Sequence, residues 1–175
     1  IQGSGTYIRE EKRPEEAETI KDDPIGLQEG SKDNLFQTGL EFVDVRLMLE
    51  PEVAAMAAVN ADYADCQKLK ETQKKVEDLV QKGQDHIEAD MEYHRQLAAC
   101  THNQILCNLM EIVVKGIPLF VKLTNNDYAR FTVDDHKAIT EAVACQDAQG
   151  ARYAMITHLN SNRKLILKAL NPHFH

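Results

Sequence analysis

The stretch DMEYHRQLAACTHNQIL, residues Asp90–Leu106, carries the pattern that decides the fold. Asp90 and His94 are four residues apart, which places both side chains on one face of a helix. Ile87 and Leu97 extend that row in both directions, so the face is largely apolar and is predicted to turn inward. The stretch therefore predicts a helix whose buried face carries a carboxylate and an imidazole.

Helical periodicity continues on both sides of this stretch, from Asn34 to the end of the chain, and no alternating strand pattern follows residue 10. Asn103 is predicted to cap the next helix, and Pro51 is predicted to restart a helix because proline cannot donate a backbone hydrogen bond. The predicted helices are Leu35–Glu50, Glu52–Val59, Tyr63–Lys82 closed by Gly83, Glu88–Cys100, Gln104–Leu123 with a break at Gly116 and Pro118, a helix starting at Thr132 or Asp134 and ending at Ala144, and Ala151–Leu170 begun by Asp147 or Gln149. Their short connections predict an all-α fold, an antiparallel bundle of six or seven helices.

The first 33 residues differ from the rest. Ile1–Arg9 is predicted to be a short strand, and because its edge has no partner we expect it to be the remnant of a preceding unit. Residues 10–33 are charged, interrupted by Pro and Gly, and predicted to be a linker. Residues 34–171 form the predicted helical domain.

Composition and charge limit the classes of function. A chain of 175 residues with 43% hydrophobic and 27% charged residues is typical of one globular domain with its own core. The net charge of −8 repels phosphate backbones, so we do not expect this segment to bind nucleic acid by itself. Four cysteines without paired spacing indicate a reducing, cytoplasmic compartment, and no apolar run is expected to cross a membrane.

Three predicted helices each place a histidine on a face that should be buried: His94, His136 and His158. His86 and His102 lie near helix ends and are expected to be exposed. A single inward histidine is more often a core residue bonded to a carbonyl than a ligand. Three together with Asp90 would cost about 1–3 kcal/mol each if left unpaired, whereas one shared cation would satisfy them all. This pattern makes the four residues candidate ligands of one divalent metal.

Three imidazoles and one carboxylate suit Zn²⁺, which we expect, with Ni²⁺, Mn²⁺ or Fe²⁺ as alternatives. An octahedral ion keeps two further positions, which a small carboxylate could fill. Arg46 lies among apolar neighbours, and its guanidinium can bind such a carboxylate. It can equally form a local salt bridge with Glu50 or Asp44, and the residues alone leave both interpretations open.

Motifs of enzyme classes do not occur in the sequence: there is no HExxH, no Glu-x-x-His pair, no glycine-rich phosphate loop and no Gly-x-Ser-x-Gly. We therefore expect a protein that is not an enzyme. A metal-dependent helical-bundle enzyme remains an alternative, but it would need a general base beside the metal, and no further inward Glu or Asp is evident. A purely structural metal domain is the other alternative, and it would need a fully coordinated ion without a pocket.

Five segments together resemble the FadR subfamily of GntR-type bacterial transcription regulators. Gln2–Ile8 is similar to the end of the wing in the winged helix-turn-helix of these proteins. Four more segments are similar, in order, to their C-terminal FCD ligand-binding domain: VDVRLMLEPEVAAMAA (Val43–Ala58), DMEYHRQLAACTHNQIL (Asp90–Leu106), DDHKAITEAV (Asp134–Val143) and DAQGARYAMITHL (Asp147–Leu159). The ordered set covers roughly residues 35–170.

The resemblance implies the C-terminal, all-α half of a dimeric regulator, with Ile1–Arg9 as the remnant of the wing and the rest of the DNA-binding domain missing. The implied site residues are the metal ligands Asp90, His94, His136 and His158 and the effector-binding residues Arg46 and Asn103. The expected partners are a small carboxylate effector (a sugar acid, hydroxy acid or dicarboxylate), a second copy of the chain, and operator DNA through the missing N-terminal domain.

Overall fold

The structure, a computed structural model, describes residues 32–124 and 129–171, so the predicted wing remnant and nearly all of the predicted linker lie outside the described residues. Over those two ranges the chain forms seven α-helices, one 3₁₀ turn and no strand, which confirms the all-α prediction. The helices are α1 (Lys32–Asn60), α2 (Tyr63–Gln81), α3 (Ile87–Ala99), α4 (Gln104–Val113), α5 (Ile117–Leu123), α6 (Ala129–Ala144) and α7 (Ala148–Leu170), with the 3₁₀ turn Val114–Gly116 between α4 and α5.

Helix α1 runs through Pro51 without interruption, so the prediction that a helix restarts there is wrong. A proline inside a helix removes one backbone hydrogen bond and costs about 3 kcal/mol. The helix continues because residues on both sides of the proline pack on the same core: Phe42 before it, and Val53 and Ala57 after it. Burial of that long face outweighs the local preference for a break.

Most of the predicted helix ends are found. Asp62 caps α2 through a capping box, Asp147 caps α7, and the residue that closes α2, Gly83, has a φ of 63°. Glycine adopts this left-handed conformation without the steric cost of a Cβ. Helix α6 begins earlier than predicted, at Ala129, so Thr132 is a buried residue inside the helix and not its cap.

Helices α1, α3, α6 and α7 position the candidate site. Helix α1 packs antiparallel to α7. Asp44 pairs with Arg163, and Glu52, further along α1, pairs with Arg152, which comes earlier in α7; the atoms of this second pair are 2.7 Å apart. Helices α6 and α7 form a tight hairpin, and α3 and α1 contact both each other and the hairpin. The polar inner rows of these four helices therefore converge on one point in the core.

The stretch Gln104–Leu123 is long and apolar enough to cross a membrane by length and composition alone, contrary to the expectation that no run would reach that length. In the structure the 3₁₀ turn interrupts it, and its inner side packs into the core of the bundle. Its outer side leaves Ile105, Leu109 and Ile112 exposed in one row of α4. The core helix of a globular protein passes the same test, so one such stretch is weak support for a membrane span.

Candidate metal and effector site

Three imidazoles from three helices meet in the core. His94 of α3, His136 of α6 and His158 of α7 are each at most 1% exposed. The centroids of their rings are 5.0–5.5 Å apart, and one nitrogen from each ring lies within 4.8 Å of the other two. The structure thus brings together the three histidines that the sequence placed on inward faces.

Asp90 lies at the edge of this cluster. It stands one turn before His94 on α3, is 1% exposed, and its Oδ1 is 3.4 Å from Nε2 of His136. All four predicted metal ligands therefore lie in one buried volume.

Arg46 reaches the cluster from α1. Its Nη2 is 3.2 Å from Nε2 of His94, and its guanidinium binds Glu50 through two hydrogen bonds of 2.5 and 3.2 Å. The predicted alternatives for Arg46 are thus not exclusive, because the side chain forms the local ion pair and faces the imidazoles at the same time. Asp44, the other suggested partner, pairs with Arg163 on the surface.

Glu50 is the site residue that sequence reasoning missed, since no further inward Glu or Asp was expected. It is 1% exposed, and its Oε2 is 2.8 Å from Nδ1 of His94. A carboxylate on Nδ1 favours the tautomer whose Nε2 carries the lone pair, as in the carboxylate–histidine pairs of metal sites. The available signal was the four-residue spacing from Arg46, which reads equally well as a surface salt bridge.

Electrostatics keep these groups in the protonation states that suit a cation. Burial alone would raise the pKa of Glu50, but the charges and hydrogen bonds of Arg46 and His94 hold it well below its usual range. Burial lowers the pKa of His136 and of His158, and the positive charge of Arg46 lowers both further, although the contact with Asp135 partly opposes the shift in His158. Glu50 is therefore ionised, and the two imidazoles are neutral with a lone pair available.

Neighbouring side chains fix the ring orientations. Tyr93 stacks on His136 with centroids 3.9 Å apart, and its hydroxyl lies 3.1 Å from both the hydroxyl of Thr140 and the backbone carbonyl of His136. Asp135 places Oδ2 3.4 Å from Nδ1 of His158. Each of the three imidazoles thus has a neighbour that restricts its rotation.

The residues present fit a divalent ion. Metal–nitrogen bonds of about 2.0–2.1 Å place donor atoms about 3–4 Å apart, and one nitrogen from each of these three rings already lies within 4.8 Å of the other two. Within the described part of the chain, neither ring nitrogen of His136 forms a hydrogen bond, although the ring is fully buried. A dry core seldom keeps such atoms without a partner, and a shared cation would satisfy them.

The expectations for His86, His102 and Asn103 had different outcomes. His102 is exposed as expected and pairs with Asp65, but His86 is only 2% exposed, so the expectation that it is exposed is wrong. Asn103 caps α4, where its Oδ1 accepts from the amides of Ile105 and Leu106, as predicted for a helix cap. Among the described residues it makes no hydrogen bond to the histidine cluster or to Arg46. Its role in effector binding stays a prediction.

Comparisons with known proteins agree with this architecture. The FCD domain family matches residues 41–161 of the chain. The chain is 32% identical to the Uxu operon regulator of Haemophilus influenzae over 145 residues, which are 77% of this chain and 54% of the relative. It is 28% identical to the galactonate operon transcriptional repressor of Escherichia coli over 128 residues, 69% of this chain and 54% of the relative. A solved structure titled Streptococcus agalactiae GntR superposes with a TM-score of 0.70 at 25% identity, covering 94% of this chain and 72% of that one.

The helical bundle and the matched residues define the class: this chain contains the FCD domain of GntR-type transcription regulators. It belongs to the FCD domain family, since the match covers more than half of its length. The chain spans about half the length of those two curated relatives, which are named as transcriptional regulators and not as enzymes.

Proposed function

We propose that this chain is the effector-sensing domain of a bacterial DNA-binding transcription regulator, and that it binds one divalent metal and a small carboxylate. The observation that carries the proposal is the cluster of His94, His136 and His158 in the core, with Asp90 beside it and Arg46 within 3.2 Å of His94. The family match to regulators supports the sensing role.

The metal is held by three imidazoles and one carboxylate, with Zn²⁺ as the expected ion and Ni²⁺, Mn²⁺ or Fe²⁺ as alternatives. When bound, the ion supplies a Lewis-acid anchor for an effector oxygen. Glu50 orients His94, and Tyr93 orients His136. Arg46 offers the second anchor, because a guanidinium binds a carboxylate through two parallel hydrogen bonds.

The effector is a sugar acid, a hydroxy acid or a dicarboxylate. The name of the galactonate operon repressor, to which the chain is similar, favours a sugar acid. Arg46 lies on α1, the first described helix and the one that follows the predicted linker. An acid that draws Arg46 away from Glu50 would change how α1 packs, and in a homodimer this would change the placement of the two DNA-binding domains and so operator affinity. Such coupling requires that the effector bind the two states with different affinities.

A metal-dependent hydrolytic enzyme is the second candidate, because Glu50 is a buried carboxylate next to the cluster. A general base needs a free oxygen directed at the attacking water. Both oxygens of Glu50 are engaged, one by Arg46 alone and the other by Arg46 and His94, which favours an orienting role over a catalytic one.

The test combines metal analysis with a binding screen. Native mass spectrometry should find one divalent ion per chain in the parent protein and in a His102→Ala control, whose ring is exposed, but not in His94→Ala. A thermal-shift screen of carboxylic acids should find at least one that stabilises the metal-loaded parent, and calorimetry should show that Arg46→Met binds it at least tenfold more weakly. Unchanged metal content in His94→Ala would refute the site. If the metal-loaded parent protein bound none of the acids, the metal would have only a structural role and the sensing function would be refuted.

A further inference from the structure

A second set of buried polar side chains lies one helical turn away from the proposed metal ligands. His86, Thr132 and Asn162, called here the polar tier, each stand four residues from one of those ligands: His86 immediately precedes α3, Thr132 lies in α6 and Asn162 lies in α7. All three are at most 2% exposed. Positions four residues apart on a helix are separated by about 6 Å along its axis.

The directions of the helices put the polar tier at one end of the site. Helices α3 and α6 run the same way, because Asp90 faces His136 and, one turn further along both, Tyr93 contacts Thr140. Helices α6 and α7 are antiparallel neighbours joined by a short turn. His86 and Thr132 lie one turn before the ligands of α3 and α6, and Asn162 lies one turn after the ligand of α7. Because α7 runs in the opposite direction, all three residues lie at the same level of the bundle.

Two members of the polar tier have polar atoms without a protein partner. Within residues 32–124 and 129–171, neither Nδ2 nor Oδ1 of Asn162 forms a hydrogen bond, and nor does Nε2 of His86. An unsatisfied buried amide costs about 1–3 kcal/mol, so a folded core rarely keeps one without another reason. A bound molecule that exchanges hydrogen bonds with both side chains is such a reason.

One member of the polar tier, His86, lies beside a surface cavity. A cavity of about 200 Å³ opens at the surface beside His86, lined by the loop that connects α2 to α3 and by Val121 of α5. His86 therefore borders both this cavity and the buried tier.

We propose that His86 and Asn162 bind hydroxyl groups at the far end of a polyhydroxy carboxylate whose acid end is held by the metal and Arg46; this inference rests on the proposed function. An amide and an imidazole can each donate and accept a hydrogen bond, which matches a hydroxyl group. A second carboxylate would call for a cation in their place. The rise of about 6 Å from ligands to tier suits a chain of about four to six carbons. The effector class is then an aldonate-like sugar acid and not a two- or three-carbon acid or a dicarboxylate.

The test compares acids of increasing length on the metal-loaded protein. Calorimetry with glycolate, glycerate, erythronate, xylonate, gluconate and galactonate should show the tightest binding to the parent among the five- and six-carbon acids. Asn162→Leu should weaken binding of these longer acids about tenfold, the loss expected for one hydrogen bond, and leave glycolate binding and metal content unchanged. Asn160→Leu, an exposed position on the same helix, is the matched control and should bind every acid as the parent does.

A second readout needs no effector. Because Asn162→Leu removes an unsatisfied buried amide, it should raise the melting temperature of the ligand-free protein, whereas Asn160→Leu should not.

If Asn162→Leu does not fold, His86→Phe provides the same comparison, with the exposed His102→Phe as its control. Equal loss for glycolate and for gluconate, or loss for neither, would overturn the proposed role of the tier. If the parent bound short acids or dicarboxylates in preference to the polyhydroxy acids, this inference would fail while the metal site stood. Failure of every acid to bind the parent would overturn the proposed function itself.

Discussion

Replacing Arg46 with methionine should destabilise the metal-free protein strongly, because it leaves Glu50 charged and buried without its partner. Both side chains are 1% exposed, and the pair is joined by two hydrogen bonds. Breaking a buried ion pair by removing one partner costs about 3–5 kcal/mol. Methionine keeps an unbranched apolar stem but loses the guanidinium, whose central carbon lies 5.7 Å from the centroid of the Phe42 ring, so the charge is the main loss.

The expected change in melting temperature follows from the size of the domain. Unfolding entropy of about 2.1 cal/mol/K per residue gives about 0.3 kcal/mol/K for roughly 140 residues. A loss of about 3–5 kcal/mol then lowers the melting temperature by roughly 10–17 °C. Differential scanning calorimetry in EDTA, together with urea unfolding at 25 °C, measures both quantities. Arg152→Met, which breaks the surface pair with Glu52, is the matched control and should melt almost with the parent.

A double-mutant cycle separates loss of the pair from loss of packing. Arg46→Met/Glu50→Leu should be more stable than Arg46→Met alone, because it no longer contains an unpaired charge. It should still fall about 1–3 kcal/mol short of the parent, since the buried Nδ1 of His94 loses the carboxylate that lies 2.8 Å away. If the two single changes add to within about 0.5 kcal/mol, Arg46 and Glu50 are not coupled in the core and the reasoning is refuted.

Two further predictions concern the helices around the site. Gly83→Ala should cost about 1–2 kcal/mol in urea unfolding, because residue 83 has a φ of 63° and a Cβ is strained there even with open space around it; a neutral result would mean that the turn after α2 rearranges. In thiol titration at pH 8, exposed Cys145 should react at once and buried Cys100 only on unfolding, because burial raises the pKa of Cys100 to about 12 and leaves almost no thiolate. Fast labelling of Cys100 in the folded protein would contradict its position in the core.

Most of the helices could be predicted from the sequence, because the features that define a helix lie within its own segment of the chain. A period of 3.6 residues, an aspartate before the first turn and a glycine after the last are properties of one segment, and the caps Asp62 and Asp147 were found where that pattern put them. The prediction failed at Pro51, where the local preference for a break competes with burial on both sides of it. Burial depends on packing partners from other helices, and the sequence of the segment itself does not contain them.

The candidate site also has some features that the sequence predicted and others that only the packing of the helices decided. The four-residue spacing of Asp90 and His94 fixes their shared face before any tertiary contact is known, and the inward rows of His136 and His158 are equally local. That the three histidines converge within 4.8 Å depends on the packing of α3, α6 and α7. Glu50 had an acceptable local partner in Arg46, so nothing in its own helix signalled the contact with His94.

By itself, then, the sequence determined which residues face inward, because helix geometry converts spacing into direction. Only the tertiary structure decided which inward residues meet. It turned Arg46 and Glu50 from a surface-type pair into a buried one, and it left Asn162 in the core without a protein partner among the described residues. The physical reason is that burial and unsatisfied hydrogen bonds are properties of a packed volume, to which four helices far apart in the chain contribute together.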